Sequence, residues 1–196
     1  MSHQTLKFKI IGESPLIMHS GQLVDPLNKW SKAIKAISGK RKKTDADHEE
    51  MARLEWYGGL YLNGGKPCIP GEVLEATFIS AAKKSKQGAD AKMGVFCPGN
   101  YPLKYNDEAD SIDALWKEGN HRLSSLVRLG GKAGLIRTRP RFDEWEADCE
   151  LVYDDAIFNE RAVWDVLETA GRYIGLMDWR PRYGRFSVQP LNIKGG

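Results

Sequence analysis

The run Trp145-Glu146-Ala147-Asp148-Cys149-Glu150-Leu151-Val152-Tyr153-Asp154 alternates strictly. Trp145, Ala147, Cys149, Leu151 and Tyr153 fall on one side; Glu146, Asp148, Glu150 and Val152 fall on the other. A period of two gives a strand with one buried face and one polar face. A helical pattern follows over residues 160–174, with a buried stripe of Val163, Val166, Leu167, Ala170 and Ile174. Asn159 can cap that helix, and Phe158 can staple onto Val163. A loop rich in arginine and glycine comes next, then a final strand from Arg185 to Leu191. There Phe186 and Val188 share a face and suit the core, while Arg185 and Gln189 face the other way.

Working back from Trp145, residues 134–142 form a second alternating run, expected to pair with 145–154 as a hairpin. Leu6-Lys7-Phe8-Lys9-Ile10 gives the first strand, broken by Gly12 and Pro15. Ile69-Pro70-Gly71 leads into a helix over about 71–86, with Val73, Leu74, Phe78 and Ala81 apolar and Lys83, Lys84 and Lys86 at its end. Between these lie a helix around Leu27, Trp30, Ile34 and Ile37, a second at Asp45–Tyr57 capped by Thr44, and the Gly64-Gly65 turn. Residues 87–132 are poorly periodic, with room for a short hairpin near Phe96–Tyr105 and a short helix near Ser111–Lys117.

Setting aside 12–66 and 87–132, the order is βαββαβ. This is an α+β, ferredoxin-like (RRM-like) core, with long insertions after the first strand and after the first core helix. The expected organisation is one domain over 1–196, a helical insertion at 12–66 and an irregular insertion at 87–132. Such a core packs both helices on one face of its sheet and leaves the other face open.

Composition narrows the class. The chain has 196 residues, 41% of them hydrophobic, enough for a substantial core without disulfides or metals. No apolar run reaches the length of a membrane span, so no membrane partner is expected. The start has no signal-peptide pattern. Cys68, Cys97 and Cys149 are odd in number and widely spaced, which suits free thiols in a reducing cytoplasm. His3, His19, His48 and His121 lack ligand spacing, and no dinucleotide or phosphate-loop glycine pattern appears, so neither a metal nor another cofactor is expected.

The net charge of +3 hides segregation. Residues 26–43 carry seven bases, ending in Lys40, Arg41, Lys42 and Lys43, and no acid. Arg137, Arg139 and Arg141 share one strand face. Acids crowd 107–118 and 143–160. Bases return at 171–196, where Trp179-Arg180-Pro181-Arg182-Tyr183-Gly184-Arg185 joins three guanidiniums to two aromatic rings. Guanidinium forks fit phosphate oxygens bidentately, and aromatic rings stack on unpaired bases. The alternative for this loop is cation–π packing within the fold, with Trp179 and Phe186 in the core.

The Ile69-Pro70-Gly71 entry, the ferredoxin-like order and the loop Gly175–Arg185 resemble the RAMP superfamily, the repeat-associated proteins of CRISPR systems, and most of all its effector backbone subunits. The resemblance implies a head-to-tail polymer along a guide RNA. It makes Gly175–Arg185 the family's loop after the second core helix, and 12–66 and 87–132 its thumb or finger insertions. Residues 44–55 and 178–186 also resemble stretches of uncharacterised phage and prophage proteins, which implies a phage origin and a bacterial host cytoplasm.

The expected function is binding of single-stranded DNA or RNA, with self-association along the strand and no catalysis. Lys40, Arg41, Lys42, Lys43, Lys83, Lys84, Lys86, Arg137, Arg139, Arg141, Arg180, Arg182 and Arg185 would meet phosphates; Trp179 and Tyr183 would stack on bases. The alternatives are a metal-independent endoribonuclease of the RAMP type, with His19 or His121 as general base, and a self-assembling protein-interaction component.

Overall fold

The structure, a computed structural model, describes residues 2–106, 109, 111–127 and 134–191. Asp107, Glu108 and Asp110 of the acidic block, and Lys194, lie outside the described residues. In chain order the strands and helices are β1 (His3–Gly12), β2 (Leu16–Ile17), α1 (Lys29–Ser38), α2 (Asp45–Gly59), β3 (Leu62–Asn63), β4 (Lys66–Pro70), α3 (Gly71–Ala82), α4 (Gly88–Gly94), β5 (Val95–Phe96), β6 (Asn100–Pro102), β7 (Lys104–Tyr105), α5 (Ile112–Glu118), β8 (Arg122–Val127), β9 (Leu135–Phe142), β10 (Trp145–Asp154), α6 (Glu160–Thr169) and β11 (Phe186–Pro190). They form two compact units. Unit 1 is Met1–Leu16, Leu62–Asp107 and Asp143–Gly196; unit 2 is Ile17–Tyr61 and Glu108–Phe142.

Unit 1 holds an antiparallel sheet in the order β11-β1-β10-β5, with β7 also on β10. Counting β5 as the second core strand, β10 as the third and β11 as the fourth, this is the ferredoxin-like order 4-1-3-2. β10 buries its apolar row as its alternation requires: Ala147 and Leu151 are sealed from solvent. Phe8 and Ile10 of β1 are sealed on the same side. α3 and α6 cover this face, with Phe8 edge-on to Trp164 at 6.3 Å and Phe78 edge-on to Phe158 at 6.1 Å. Burying each such side chain contributes about 1.5–3 kcal/mol. Asn159 caps α6 through Ala162 N, as expected.

The second core strand is not the expected one. β9 does not pair with β10. It lies in unit 2, in a sheet ordered β2-β9-β8, with Arg139 opposite Leu123 and Arg137 opposite Ser125. The 134–142/145–154 hairpin is therefore corrected. The segment between Phe142 and Trp145 carries the chain from one unit to the other, and the place beside β10 is filled by the two residues of β5. The expected hairpin near Phe96–Tyr105 is corrected as well: β6 pairs with β4, and β7 with β10.

In unit 2, α2 starts at a capping box, in which Thr44 and Asp47 bond each other's backbone N–H. Trp56 is sealed in its core and donates through Nε1 to His121 O at 2.6 Å. No helix among the described residues is long and apolar enough to cross a membrane.

All three cysteines are free and buried. Burial raises each thiol: Cys97 is pushed up to about 12 and Cys149 well above the ordinary thiol range, with Cys68 also raised. A thiol is nucleophilic as its thiolate, so all three are expected to resist iodoacetamide at pH 8 in the folded chain and to react in urea. Mass spectrometry after each treatment checks this.

Candidate nucleic-acid interface

The loop Gly175–Arg185 is shaped by its backbone. The α6 pattern continues past Thr169, but residues Ala170–Ile174 widen into a π turn. Gly171 sits in that turn because the chain returns against it: a Cβ there would lie 2.0 Å from Phe186 O. The neck of the loop is then tied off. Leu176 N donates to Gly184 O at 2.8 Å, and Gly184 N to Pro15 O at 2.9 Å. Arg185 N donates to Ser14 Oγ at 2.9 Å, and Glu13 N to Arg185 O at 2.8 Å. Between these ties Met177 (φ 60°) and Trp179 (φ 53°) are left-handed, a conformation costing a side-chain-bearing residue roughly 1–2 kcal/mol.

The tied loop holds Arg180, Arg182 and Arg185 at the surface. Arg180 Nη1 reaches Thr77 Oγ1 of α3 at 3.4 Å, and Arg185 Nε donates to Pro181 O at 2.8 Å. Trp179 and Tyr183 are half-buried, with ring centroids 6.0 Å apart, and Arg182 lies 5.6 Å from the Tyr183 ring. The cation–aromatic packing weighed from the sequence is therefore present, with the guanidiniums still exposed. Phe186 is buried and Val188 half-buried on the same face of β11.

Lys83 and Lys84 lie on a 3-10 turn after α3, with Lys86 left-handed beyond it. Lys84 Nζ stands 5.9 Å from the Tyr173 ring, and Arg172 lies 5.7 Å from the same ring. Tyr173 is 54% exposed, so an aromatic ring flanked by two cations projects from unit 1. Sequence reading passed over Arg172 and Tyr173 as part of a helix. Local pattern gave no signal: three residues after Ala170 and seven after Val166, Tyr173 falls by α-helical spacing at the edge of the apolar stripe, yet in the π turn it is exposed.

On the polar face of the unit 1 sheet, Lys9 bonds Glu146 at 2.9 Å and Lys104 bonds Asp148 at 2.6 Å. The acidic row of β10 thus pairs with β1 and β7, not with the arginines of β9. A cavity of about 510 Å³ beside it is lined by Glu13, Asp143, Glu144 and Glu146, with Lys104.

In unit 2, Lys40–Lys43 link α1 to α2. Lys40 holds Asp47 at 2.5 Å, and that bond is the chief reason the Asp47 carboxyl drops to about 2. Lys43 Nζ donates to Lys40 O at 3.1 Å, while Arg41 and Lys42 are exposed. On β9, Arg137, Arg139 and Arg141 share a half-buried face, and Thr138, Pro140 and Phe142 are buried behind them. Arg137 Nη1 donates to buried Glu55, whose other oxygen accepts from Thr138 N at 2.9 Å. His121 is buried, with Nδ1 3.0 Å from Arg141 O. His19 is exposed, and its carbonyl accepts from Tyr61 Oη.

No protein-family profile matches the chain. No curated protein matches it. Among solved structures it is similar to Cmr6 from Pyrococcus furiosus, with 10% identity and a TM-score of 0.37 over 97% of this chain and 100% of that one. An overlap of that quality assigns nothing, and the fold rests on the strand order of unit 1.

Proposed function

We propose that this chain binds single-stranded DNA or RNA and assembles head to tail along the strand. The supporting observation is the tied loop Gly175–Arg185, which keeps three guanidiniums exposed beside two aromatic rings. A loop already held in shape loses little entropy on binding. Lys83, Lys84 and Lys86, with the Arg172–Tyr173 pair, add cations and a ring to the unit 1 contact. Lys40–Lys43 and Arg137, Arg139 and Arg141 form the unit 2 contact. For self-association the support is charge: the acidic cavity of unit 1 suits a basic segment of a second copy, a heterologous contact that propagates. The bacterial cytoplasm is the proposed setting and a phage genome the proposed source, the second from the wording of residues 44–55 and 178–186.

Fluorescence polarisation with labelled single- and double-stranded DNA and RNA at two salt concentrations tests this. Single strands are expected to bind in preference to duplexes, with affinity falling as salt rises. Arg180→Ala and Arg182→Ala should each flatten the log–log salt slope by about 0.7 for every phosphate no longer neutralised. Tyr183→Ala should weaken binding by about 1–3 kcal/mol with the slope unchanged, since stacking releases no counterions. Absence of single-strand binding at low salt would falsify the proposal. Sedimentation with strands of increasing length reports the assembly: bound mass should step up by whole subunits.

A further inference from the structure

Unit 2 contains a cavity of about 400 Å³, within the size range of small-ligand sites. Part of its lining is cationic. Arg137 and Arg139 project from the same face of β9, and Lys35 joins them from α1. Leu23, Val24, Ile34 and Val127 supply the apolar lining; Val24 is 81% exposed. We infer that this cavity binds a nucleotide, its heterocycle against the apolar side chains and its phosphate on the cations.

The charge arrangement selects the ligand. The lining carries three cations and one carboxylate, Glu55, so an anion is favoured. Glu55 is only 7% exposed and engages Arg137 through Nη1, which fixes the arginine in place. A guanidinium has five N–H donors, enough to serve Glu55 and a phosphate oxygen together. Cations from two separate elements suit the three oxygens of a phosphate better than the two of a carboxylate. Apolar side chains in the same lining give a flat ring a surface to pack on, which a bare inorganic anion does not need.

Apart from the cations and Glu55, the polar lining side chains are His19, Ser31, Ser38 and Thr138. Ser31 Oγ donates to Leu23 O at 3.0 Å, and Ser38 Oγ to Lys35 O at 3.2 Å. Both hydroxyl protons are thus spent on the backbone, and Thr138 Oγ1 shares a hydrogen bond with Ser124 Oγ at 2.9 Å; with His19 left as the main group to meet a base edge, bases should be discriminated weakly. The choice of a nucleotide over another phosphate ester rests on the strand-binding reading; the cavity itself belongs to unit 2 and owes nothing to loop 175–185.

Isothermal calorimetry with AMP, CMP and inorganic phosphate on the whole chain tests it. AMP and CMP should bind within about fivefold of each other, and phosphate at least tenfold more weakly than either. Ile34→Trp fills the cavity from an accessible helix face and should weaken AMP at least tenfold, as should Arg139→Gln; unchanged circular dichroism verifies folding. Arg161→Ala, at an exposed cation of α6 outside both proposed contacts, should leave AMP affinity unchanged. The inference is overturned if AMP does not bind, if phosphate binds as well as AMP, or if Ile34→Trp has no effect. A chain that takes AMP but no strand fails the strand reading alone; one that takes a strand but no AMP fails the cavity alone.

Discussion

Gly171→Ala is expected to destabilise unit 1 by about 3 kcal/mol or more, at the upper end of what overpacking costs. The added Cβ would sit 2.0 Å from Phe186 O and 2.9 Å from both Phe186 C and Phe186 Cδ2. Two of these atoms are backbone and cannot rotate away. Relief requires β11 to move off the π turn, yet β11 is held to β1 by the pairs Gly12↔Phe186 through Phe8↔Pro190. The loop would be disturbed too, since its neck begins four residues beyond Gly171. In urea the midpoint should fall by about 1 M or more, and near-native strand affinity should disappear with it. Gly21→Ala is the control, with nothing within 4 Å of its added Cβ. It should stay within about 0.5 kcal/mol of the parent, as surface changes usually do. Equal midpoints for the two variants would sink the packing account.

The same close approach marks where sequence periodicity stops being informative. Val163, Val166, Leu167, Ala170 and Ile174 fit one helical stripe, and the stripe runs through the π turn without a sign of it. Gly171 is the local clue, but a glycine near a helix end reads equally well as a terminator. β10 and α6 were legible because each carries its full period within ten residues. β5 was not: two residues hold no period, and the short hairpin expected near Phe96–Tyr105 gave no sign that Val95–Phe96 pairs with β10. β9 misled for a different reason. Alternation tells which side chains share a face, and Thr138, Pro140 and Phe142 are indeed buried together. It does not name the neighbouring strand. The true partner, β8, lies in a stretch whose Ser124-Ser125 pair interrupts the apolar pattern.

The candidate interface was legible to the same depth. Composition alone picked out Arg180, Arg182 and Arg185, because three guanidiniums in six residues need no partner to be noticed. The Lys84–Tyr173–Arg172 cluster needed the fold, since residue 84 follows α3 and residue 173 follows α6, and only the packing of those helices brings them together. The arginine row of β9 shows the converse. Its period promised three cations on one face, and the face is there. Arg137, however, is committed to Glu55, a residue 82 positions away that no local pattern links to it.

That commitment carries the second large effect. Arg137→Ala is expected to destabilise unit 2 by about 3 kcal/mol, the lower end for breaking a buried ion pair, because the arginine side chain is itself a third exposed. The carboxylate stays behind at 8% side-chain exposure, keeping one of its two partners, Thr138 N. Glu55→Gln should cost less, about 1–2 kcal/mol, since an amide oxygen can still accept from Thr138 N and no buried charge is stranded. The double variant decides between pairing and packing. If the cost of Arg137→Ala is a stranded charge, adding Glu55→Gln should recover about 1–2 kcal/mol of it, where additivity would add a further 1–2; the coupling is then about 3 kcal/mol, the upper end for residues in direct contact. If the cost is poorer packing around the missing arginine stem, the two changes should add. Urea midpoints of the four proteins close the cycle. The same cycle bears on AMP affinity: Arg137 meets the phosphate only if Glu55 holds it in place, so Glu55→Gln should weaken AMP binding even where the fold survives.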